Sequence, residues 1–417
     1  MFKFLHSADI HLDSPLYRLG DYEGAPVEEV RRASRRALEN LVKLAIEQHV
    51  AFVLIAGDLY DGDWKDYNTG LYFISQMSKL REAGIPVYVV AGNHDAASKI
   101  TKCLRLPENV FLFAAEEAQT FKLDAEGVAI HGQSFNSPAV RKNIAATYPM
   151  PVQGYFNIGV LHTCATGREG HEGYAPCGIE DFQSKGYDYW ALGHVHQNEI
   201  LLQAPFTVFS GNIQGRHIRE SGPKGCMVVT VDDRGRVSPE FVALDVVRWL
   251  RVEIESSDIA QGYDVLKFVG ARLKDLLEQN PTLPLLIRIE LKGACPAHEE
   301  LASDPEHWEN EIRSVALDIS AGRIWIEKVK LHTTKPIDME SSSGPLAEIN
   351  QYLDELQLSP DRLASIASVV DDLIKQLPRE LKSGEEGFEQ GDRIWLTKTM
   401  ELVRPMLIRR LTKGGFR

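Results

Sequence analysis

Cysteine is scarce in this chain of 417 residues. No two cysteines have the CxxC spacing of a redox motif or a zinc site, which argues against thiolate metal ligands and against a disulfide framework. Such usage is typical of a reducing compartment, so we expect the protein in the cytoplasm. The cysteines are Cys103, Cys164, Cys177, Cys226 and Cys295.

Long apolar runs and an excess of basic residues are also missing. No run is long enough to cross a bilayer, and the apolar start at residues 1–5 is too short for a signal peptide. The 59 acidic and 46 basic residues give a net charge of −13, which argues against a simple nucleic-acid binder with a basic face. Bound dications and local basic patches can nevertheless outweigh this total.

What the chain does contain is the composition of a globular protein, with 44% hydrophobic and 25% charged residues. Its length predicts two or three domains. Strands and helices alternate up to about residue 245, which predicts an α/β fold with two packed sheets, a four-layer α/β/β/α sandwich. Residues 246–335 predict a small α+β cap domain. Residues 336–417 predict a helical C-terminal region, whose apolar stripes either pack on each other or receive a partner's coiled coil.

Five short groups of polar side chains each follow an apolar run that predicts a strand. Open α/β sheets place their sites at the carboxyl ends of strands, so such groups are expected to meet. Carboxylate, imidazole and carboxamide are ligands for hard to borderline divalent cations. We therefore predict a dinuclear metal centre; the alternative is a set of unrelated loop residues. The groups are Asp9-Ile10-His11, Gly57-Asp58, Gly92-Asn93-His94-Asp95, Leu161-His162-Thr163 and Gly193-His194-Val195-His196.

Phosphodiester hydrolysis explains why these residue types are needed. Both the attacking and the leaving oxygen need charge stabilisation, and two cations about 3.5–4 Å apart supply it. Asp58, directly after a strand and a glycine, is our candidate for the bridging ligand. Asp9 and His11 are two residues apart on an extended segment, so both can face one ion. His194 and His196 have the same spacing and could serve one ion each.

The Gly92-Asn93-His94-Asp95 group combines three roles. Asn93 offers a neutral oxygen, which limits the negative charge of the site. His94 can donate a proton to the leaving oxygen or stabilise phosphoryl oxygens, so we predict a catalytic role rather than a ligand. Asp95 either orients a neighbour or caps the following helix, and capping is the favoured interpretation.

Taken in order, Asp-x-His, Gly-Asp-x-x-Asp, Gly-Asn-His-Asp, a lone His and Gly-His-x-His resemble the signature of the calcineurin-like metallophosphoesterases. Within that superfamily the chain is most similar to the SbcD-type DNA repair exonucleases of the YhaO-like branch, over about residues 1–245. The resemblance implies that Asp58 is shared by two ions, with the catalytic role at His94. The implied ligands are Asp9, His11, Asp58 and His196 for the first ion, and Asp58, Asn93, His162 and His194 for the second.

The resemblance also implies a cofactor and partners. Two Mn²⁺ ions are the implied metals, with Mg²⁺ or another divalent ion as alternatives, and ligands without thiolate agree with this. The implied partners are DNA, a second copy of the chain in a homodimer, and a coiled-coil SMC-like ATPase of the SbcC class. No membrane partner is expected.

Asp61 and Gly62 depart from patterns seen in relatives. Asp61 stands where some relatives carry a histidine that helps to position DNA, which leaves the polarity of an exonuclease open. Gly62 stands where protein phosphatases carry an arginine that grips a phosphate monoester, which disfavours a phosphoprotein substrate.

Further candidates for substrate binding lie on two loops. Arg216 and His217 end the glycine-containing stretch 211–217 and could bind a phosphate; the alternative is an ordinary loop with a surface arginine. Tyr174, in the loop from Thr166 to Cys177, could stack on a base, and equally that loop could only support His162.

We therefore predict a manganese-dependent DNA nuclease, an exonuclease with some endonuclease activity, acting in DNA repair. In this prediction metal-bound hydroxide attacks phosphorus in line and His94 assists the leaving group. One alternative is a phosphodiesterase for a small molecule or cyclic nucleotide, because the metal chemistry would be the same. An alternative of another class is a DNA-end-binding clamp with little intrinsic catalysis.

Overall fold

The computed structural model describes residues 1–14, 30–61, 67–97, 105–165 and 174–336, together with Tyr352. The predicted helical C-terminal region therefore lies outside the described residues, apart from Pro336 and Tyr352. Among the residues that are described, no helix has both the length and the apolar character needed to cross a bilayer. The four cysteines in this part of the chain are free and buried.

Strands dominate the described chain, and helices lie between them. The strands are β1 (Phe2–Ser7), β2 (Phe52–Ala56), β3 (Val87–Val90), β4 (Val110–Leu112), β5 (Gln119–Leu123), β6 (Val128–Gly132), β7 (Phe156–His162), β8 (Tyr189–Gly193), β9 (Glu199–Gln203), β10 (Phe206–Phe209), β11 (Gly225–Val231), β12 (Val237–Ala243), β13 (Arg248–Glu255), β14 (Leu285–Ala294) and β15 (Ile324–Thr334). The α-helices are α1 (Ala33–Glu47), α2 (Asn68–Glu82), α3 (Asn93–Ala97), α4 (Ile179–Ser184), α5 (Asp264–Gln279), α6 (His298–Ser303) and α7 (Pro305–Ser320).

Two six-stranded sheets carry the fold. The first has the order β12-β11-β1-β2-β3-β4 and the second the order β5-β6-β7-β8-β10-β9. In the first sheet β1 to β4 run parallel, whereas β11 pairs antiparallel with β1. In the second sheet β6, β7, β8 and β10 run parallel. The carboxyl ends of the parallel strands in each sheet therefore lie at one edge, where a site is expected.

The inner faces of the two sheets pack on each other through aromatic side chains. Phe4 of β1 stacks on Phe52 of β2 with ring centroids 5.0 Å apart, and Tyr189 of β8 meets Phe4 edge to face at 5.3 Å. All three side chains are fully buried. Burial of one such ring stabilises the fold by about 1.5–3 kcal/mol, so this layer holds the two sheets together.

Helices cover the outer faces, which completes four layers. Side chains of β1 alternate, so that Leu5 points away from Phe4 and packs on Leu38 and Leu41 of α1. On the other side, Trp190 of β8 packs on Phe182 of α4, with ring centroids 5.1 Å apart. The predicted α/β sandwich with two packed sheets is confirmed.

A third sheet follows the sandwich in sequence, with the strand order β13-β14-β15. The described chain divides into two units. The first comprises Met1–Val252, Arg272–Ile289 and Arg313–Lys328, and it contains both large sheets. The second comprises Glu253–Ala271, Glu290–Ile312 and the described residues from Val329 onward. The predicted domain boundaries at 245 and 335 stay a prediction.

Candidate metal centre

The loops that follow β1, β2 and β8 are tied together by their backbones. The N–H of Asp9 donates to the carbonyl of Gly57 and the N–H of His11 to that of Asp58, both at 3.0 Å. The N–H of His194 donates to both carboxylate oxygens of Asp9, at 3.1 and 3.0 Å. These bonds bring the carboxyl ends of strands from both sheets to one place.

The predicted ligands meet there in overlapping groups of three. In each group, one ligand atom per residue lies within 4.8 Å of the others. Two of the groups fall within the two ligand sets that the resemblance implies, and the third contains His94, which we predict as a catalytic residue rather than a ligand. Asp58 belongs to two of the three groups. The three groups are Asp9 with His11 and His196, Asp58 with His162 and His194, and His11 with Asp58 and His94.

The backbone of the centre is strained where these side chains attach. Asp9, His11 and Asp58 have φ angles of 50°, 45° and 50°, and His194 has a φ of 101°. Residues other than glycine rarely adopt this left-handed region, and each such residue costs of the order of 1–3 kcal/mol. Four of the eight non-glycine residues with a positive φ in the described part of the chain are predicted ligands.

Two glycines are required by the close approach of the loops. A Cβ at Gly193 would lie 1.9 Å from the carbonyl oxygen of Ala56, and one at Gly92 would lie 2.3 Å from Oδ1 of Asp58. Neither position can hold a larger residue unless a ligand loop moves. The glycine before each of these two ligand motifs is therefore part of the site's geometry.

His162 is fixed between a carbonyl and two oxygen ligands. Its Nδ1–H donates to the carbonyl of Ala56 at 2.9 Å, which turns Nε2 toward Oδ2 of Asp58 at 3.3 Å and Oδ1 of Asn93 at 3.0 Å. Burial lowers the pKa of His162, but the adjacent Asp58 carboxylate outweighs it and raises the pKa to about 9. The surroundings of Nε2, between Asp58 and Asn93, therefore favour a positive charge.

His11 and His196 face each other through their Nε2 atoms, which are 3.1 Å apart. His196 Nδ1 lies 2.7 Å from the carboxylate of Glu220, which assigns the proton to Nδ1 and leaves a lone pair on Nε2. Burial lowers the pKa of His11 to about 4, so its ring is neutral near pH 7. Two facing imidazole nitrogens of this kind are suited to sharing a cation.

The donor set fits two divalent cations. It consists of two carboxylates, four imidazoles and one carboxamide, and within the described residues none of the three groups contains a cysteine. Burial raises the pKa of Asp9, while the neighbouring histidines hold the pKa of Asp58 well below its ordinary value in spite of burial. Asp58 is thus a charged carboxylate placed against both ligand groups, as a bridging ligand requires.

His94 stands at the exposed side of the centre. Its side chain is 41% exposed, and its Nδ1 lies 3.0 Å from Oδ1 of Asp61. The hydroxyl of Ser14 donates to the other oxygen of Asp61 at 2.6 Å. The structure therefore places Asp61, which the sequence made a candidate for DNA contact, against the candidate catalytic histidine.

Asp95 caps the start of α3 and also holds a neighbouring loop. Its carboxylate accepts the N–H groups of Leu59 and Tyr60, at 3.1 and 2.9 Å, and also that of Gly92 at 3.1 Å. The bond from Gly92 caps the first turn of α3, as predicted, and the other two tie the loop after β2 to the loop after β3. Burial raises the pKa of Asp95 to about 6, with the charge of Asp58 adding to the effect.

Arg216 lies in the centre, and its interpretation as a surface arginine is wrong. Its side chain is 19% exposed, Nη2 lies 2.9 Å from Glu220, and Nη1 lies 3.8 Å from Asp61. His217 beside it is half exposed, with Nε2 3.6 Å from Glu220. Sequence reasoning missed Glu220; the available signal was its spacing of four residues after Arg216, which suits an ion pair.

Tyr174 contacts a predicted ligand. Its ring meets that of His194 edge to face, with centroids 5.6 Å apart, and its carbonyl accepts the N–H of Cys164. This contact is the one expected of a residue that supports the metal centre. The preceding loop residues 166–173 lie outside the described part of the chain.

Two families of known sequences match this chain. The calcineurin-like phosphoesterases match residues 2–198, which hold the predicted ligands, and the middle domain of metallophosphoesterase YhaO matches residues 249–334. The first match covers β1 to β8 of the two large sheets, and the second covers nearly all of the segment that contains the third sheet.

Individual relatives agree with these families. Metallophosphoesterase YhaO of Bacillus subtilis is 33% identical over 297 residues, which are 70% of this chain and 72% of that protein. The DNA double-strand break repair protein Mre11 of Methanopyrus kandleri is 23% identical over 412 residues, 92% of this chain and 82% of its own. The protein of the same description from Sulfurisphaera tokodaii is 27% identical over 204 residues, 48% and 50% of the two chains.

Proposed function

The chain belongs to the calcineurin-like metallophosphoesterases, in the YhaO group, and from this we propose that it is a two-metal nuclease that hydrolyses phosphodiester bonds in DNA. One observation carries the proposal: two ligand groups meet at a shared carboxylate. Asp58 Oδ2 lies 3.3 Å from Nε2 of His162 and 4.0 Å from Nε2 of His11, one residue from each group. A shared carboxylate of this kind suits a pair of ions that act on one phosphate.

In this proposal the first ion is held by Asp9, His11, Asp58 and His196, and the second by Asp58, Asn93, His162 and His194. We propose Mn²⁺, with Mg²⁺ or another divalent ion as alternatives, because oxygen and imidazole ligands suit these ions. When bound, the cations supply Lewis acidity for the phosphoryl oxygens and lower the pKa of water.

His94 is the proposed catalytic residue. Its ring is more exposed than the side chains of the predicted ligands, and Asp61 fixes its orientation through Nδ1. The hydrogen bond that Nδ1–H of His94 donates to Asp61 raises the pKa of His94, which keeps the ring protonated to a higher pH. A protonated imidazole at this place can give a proton to the leaving oxygen or stabilise phosphoryl charge.

Two kinds of observation support DNA as the substrate. The relatives from Methanopyrus kandleri and Sulfurisphaera tokodaii are described as DNA double-strand break repair proteins. In the centre itself, Arg216 presents a guanidinium beside Asp61 and Glu220, where it can reach a phosphate next to the scissile one. His217, Asp61 and Tyr174 are the remaining proposed substrate contacts.

The wider setting is also a proposal. We propose cleavage from DNA ends with some endonuclease activity, in DNA repair in the cytoplasm. The protein would act as a homodimer together with a coiled-coil SMC-like ATPase of the SbcC class. The chain supplies about 170 residues after the catalytic part, more than a small substrate needs, and residues 336–417 are the proposed docking region.

The test is degradation of end-labelled linear duplex DNA with and without Mn²⁺, comparing wild type with His94→Ala. Metal-dependent cleavage that falls by about 10²–10⁴-fold in the variant would support the nuclease, and product lengths would give the polarity. A metal-loaded wild type that cleaves cyclic or small phosphodiesters but no DNA would favour the small-molecule alternative. Tight binding of DNA ends without cleavage of DNA or of small phosphodiesters would favour the alternative of a DNA-end-binding clamp with little intrinsic catalysis.

A second measurement tests the role of Arg216. Each phosphate contact adds to the salt dependence of DNA binding, so Arg216→Ala should weaken binding and reduce the slope of log K against log salt by about one. An unchanged slope would remove Arg216 from the DNA interface.

A further inference from the structure

Glu220 is a buried carboxylate on which several donors converge. Its side chain is 5% exposed and belongs to the short 3₁₀ turn Ile218–Glu220. One oxygen lies 2.7 Å from Nδ1 of His196 and accepts from Nη2 of Arg216 at 2.9 Å. The other accepts the amide of Asn212 at 2.9 Å and the backbone N–H of Arg216 at 2.7 Å. Both oxygens are thus held by at least two donors.

The contact with His196 bears on the first ion. A histidine that ligates through Nε2 needs its proton on Nδ1, and a carboxylate hydrogen-bonded to that Nδ1–H fixes both the tautomer and the ring orientation. Glu220 makes this contact at 2.7 Å, while Nε2 of the same ring faces His11 at 3.1 Å. Lys224 holds the same residue from its backbone, since its ammonium donates to the carbonyl of His196 at 2.7 Å.

The contact with Arg216 bears on the proposed phosphate contact. Glu220 accepts hydrogen bonds from the guanidinium and from the backbone N–H of Arg216. It therefore holds both the tip of the side chain and the backbone to which the side chain is attached. The remaining guanidinium nitrogen, Nη1, is left toward Asp61 at 3.8 Å. Without Glu220 the arginine would lose its main ion pair and its fixed direction.

We infer that Glu220 is a positioning residue that holds His196 for the first metal ion and Arg216 for a substrate phosphate, so that one carboxylate couples metal binding to DNA binding. This inference rests on the proposed function for the ligand role of His196 and for DNA as the source of the phosphate. The inference has two halves: the metal half concerns the proposed ligand His196 alone, and the DNA half concerns Arg216. Glu220 itself touches neither the ions nor the phosphate, and it acts through the two residues that it orients.

The test uses Glu220→Gln in the full chain, titrated with Mn²⁺ by calorimetry in the absence of DNA. A glutamine keeps the size of the side chain, but it replaces one acceptor oxygen by an NH₂ group. Because both oxygens of Glu220 accept hydrogen bonds, this NH₂ group faces other donors whichever way the amide turns. We expect the affinity for one of two ions to fall by about 10–100-fold, as for other hydrogen-bond partners of ligands. The affinity for the other ion should stay within about threefold.

Asp245→Asn is the matched control. Asp245 is a fully buried carboxylate in the same unit, and its oxygens accept Nε and Nη2 of Arg248, both at 2.8 Å, rather than a predicted ligand. The control variant therefore neutralises another buried carboxylate by the same chemical change, and this carboxylate contacts no predicted ligand. We expect it to leave both Mn²⁺ affinities unchanged.

Two further variants separate the halves of the proposal. In a His196→Ala background Glu220→Gln should cause no additional loss of Mn²⁺ affinity, because the residue through which it acts is gone. Arg216→Gln should weaken binding of a short DNA duplex in Ca²⁺ as much as Glu220→Gln does. Because Nη2 of Arg216 also lies 3.2 Å from Nδ1 of His196, its Mn²⁺ affinities are compared with those of Glu220→Gln, which should lose more of the affinity for the first ion.

Several outcomes would overturn the inference. They are unchanged Mn²⁺ affinities in a folded Glu220→Gln protein, an equal loss of both ions that Asp245→Asn reproduces, and an additive loss in the His196→Ala background. A protein that never cleaves DNA but shows the selective loss of one ion would refute the nuclease and leave the metal half of this inference standing.

Discussion

Asp61 Oδ1 lies 3.0 Å from Nδ1 of His94, and the backbone N–H of His94 donates to Oδ1 of Asp58 at 3.0 Å. The histidine is thus held from two sides, by its ring and by its backbone. Because Asp58 is the proposed bridging ligand, the ring of His94 has a fixed position relative to both ligand groups. Its orientation depends on the contact with Asp61.

We predict that Asp61→Asn lowers kcat for DNA cleavage by about 10–100-fold, because a misplaced catalytic group loses rate steeply with distance. An asparagine has only one acceptor oxygen in its side chain. Whichever way its amide turns, its NH₂ group faces either His94 or Ser14, each of which donates to an oxygen of Asp61. The measurement is steady-state cleavage of a labelled duplex, with kcat and KM separated. Ser14→Ala is the control and should stay within about threefold. An equal loss of rate in wild-type and His94→Ala backgrounds would mean that Asp61 does not act through His94.

Gly92 supports a second prediction. Its backbone is not left-handed, so alanine would be harmless there except for the contact with Asp58, whose Oδ1 would lie 2.3 Å from the new Cβ. We predict that Gly92→Ala displaces Asp58 and lowers the affinity for both Mn²⁺ ions by at least about 10-fold. Calorimetric titration with Mn²⁺ measures this.

Gly84→Ala is the control for that variant. Gly84 has a φ of 72°, and no atom of the described residues lies within 4 Å of the place where its methyl group would stand, so the substitution strains the backbone without touching a ligand. We expect it to lower the free energy of unfolding by about 1 kcal/mol and to leave Mn²⁺ binding intact. If both alanine variants bound Mn²⁺ equally well, the close contact at Gly92 would not be required for the centre.

The shared position of Asp58 gives a third prediction, on stoichiometry. Asp58 belongs to two ligand groups, whereas Asp9 and His162 each belong to one of the groups that correspond to the two ions. Asp58→Asn should abolish tight binding of both ions, while Asp9→Asn and His162→Ala should each remove one. An ion present at 100 times its Kd stabilises the fold by about 2.7 kcal/mol, so thermal unfolding with Mn²⁺ or EDTA provides a second measurement. Loss of a single ion in Asp58→Asn would contradict the bridging role.

Parts of the fold could be predicted because local sequence decides them. The sequence predicts strands at Phe52–Ala56 and Phe206–Phe209, because each is an apolar run ended by a polar or glycine residue, and β2 and β10 have these bounds. The sequence does not indicate β5 (Gln119–Leu123) or β9 (Glu199–Gln203) as strands. Both lie at the edges of the second sheet and are partly exposed, so their side chains lack the continuous apolar pattern of central strands.

In the candidate site, too, some features can be predicted from local sequence and others cannot. Asp58 and His162 could be recognised because a polar side chain directly after an apolar strand is a strong local pattern. The contacts of Asp95 with the loop after β2 and those of Glu220 could not, because Asp95 accepts there from a loop 35 residues earlier and Glu220 from His196 on another element. Such hydrogen bonds arise only when the sheets have assembled, and sequence spacing carries no trace of them.

His6 provides the last prediction, on the pH dependence of stability. It lies on β1, fully buried, with Nε2 3.1 Å from the carbonyl of Leu192 and Nδ1 3.0 Å from the hydroxyl of Tyr189. A neutral ring satisfies both contacts: Nε2–H donates to the carbonyl and Nδ1 accepts from the tyrosine. A second proton on Nδ1 would meet the tyrosine hydroxyl in an apolar layer, and burial accordingly lowers the pKa of His6 from 6.5 to about 3.

The sign of the effect follows from where the proton binds. Between pH 6.5 and 3 the unfolded chain binds a proton at His6 and the folded chain does not. The stability contributed by a neutral His6 is therefore complete above pH 6.5 and is lost as the pH falls, by up to about 1.4 kcal/mol per pH unit. We predict that in EDTA the free energy of unfolding by urea falls between about pH 7.5 and 5, and that His6→Gln removes a slope equivalent to about one proton. A glutamine at this position cannot take up a proton in the folded or the unfolded state. If plots of the free energy of unfolding against pH were parallel for His6→Gln and wild type, His6 would not be the group whose burial in the neutral form causes the pH dependence.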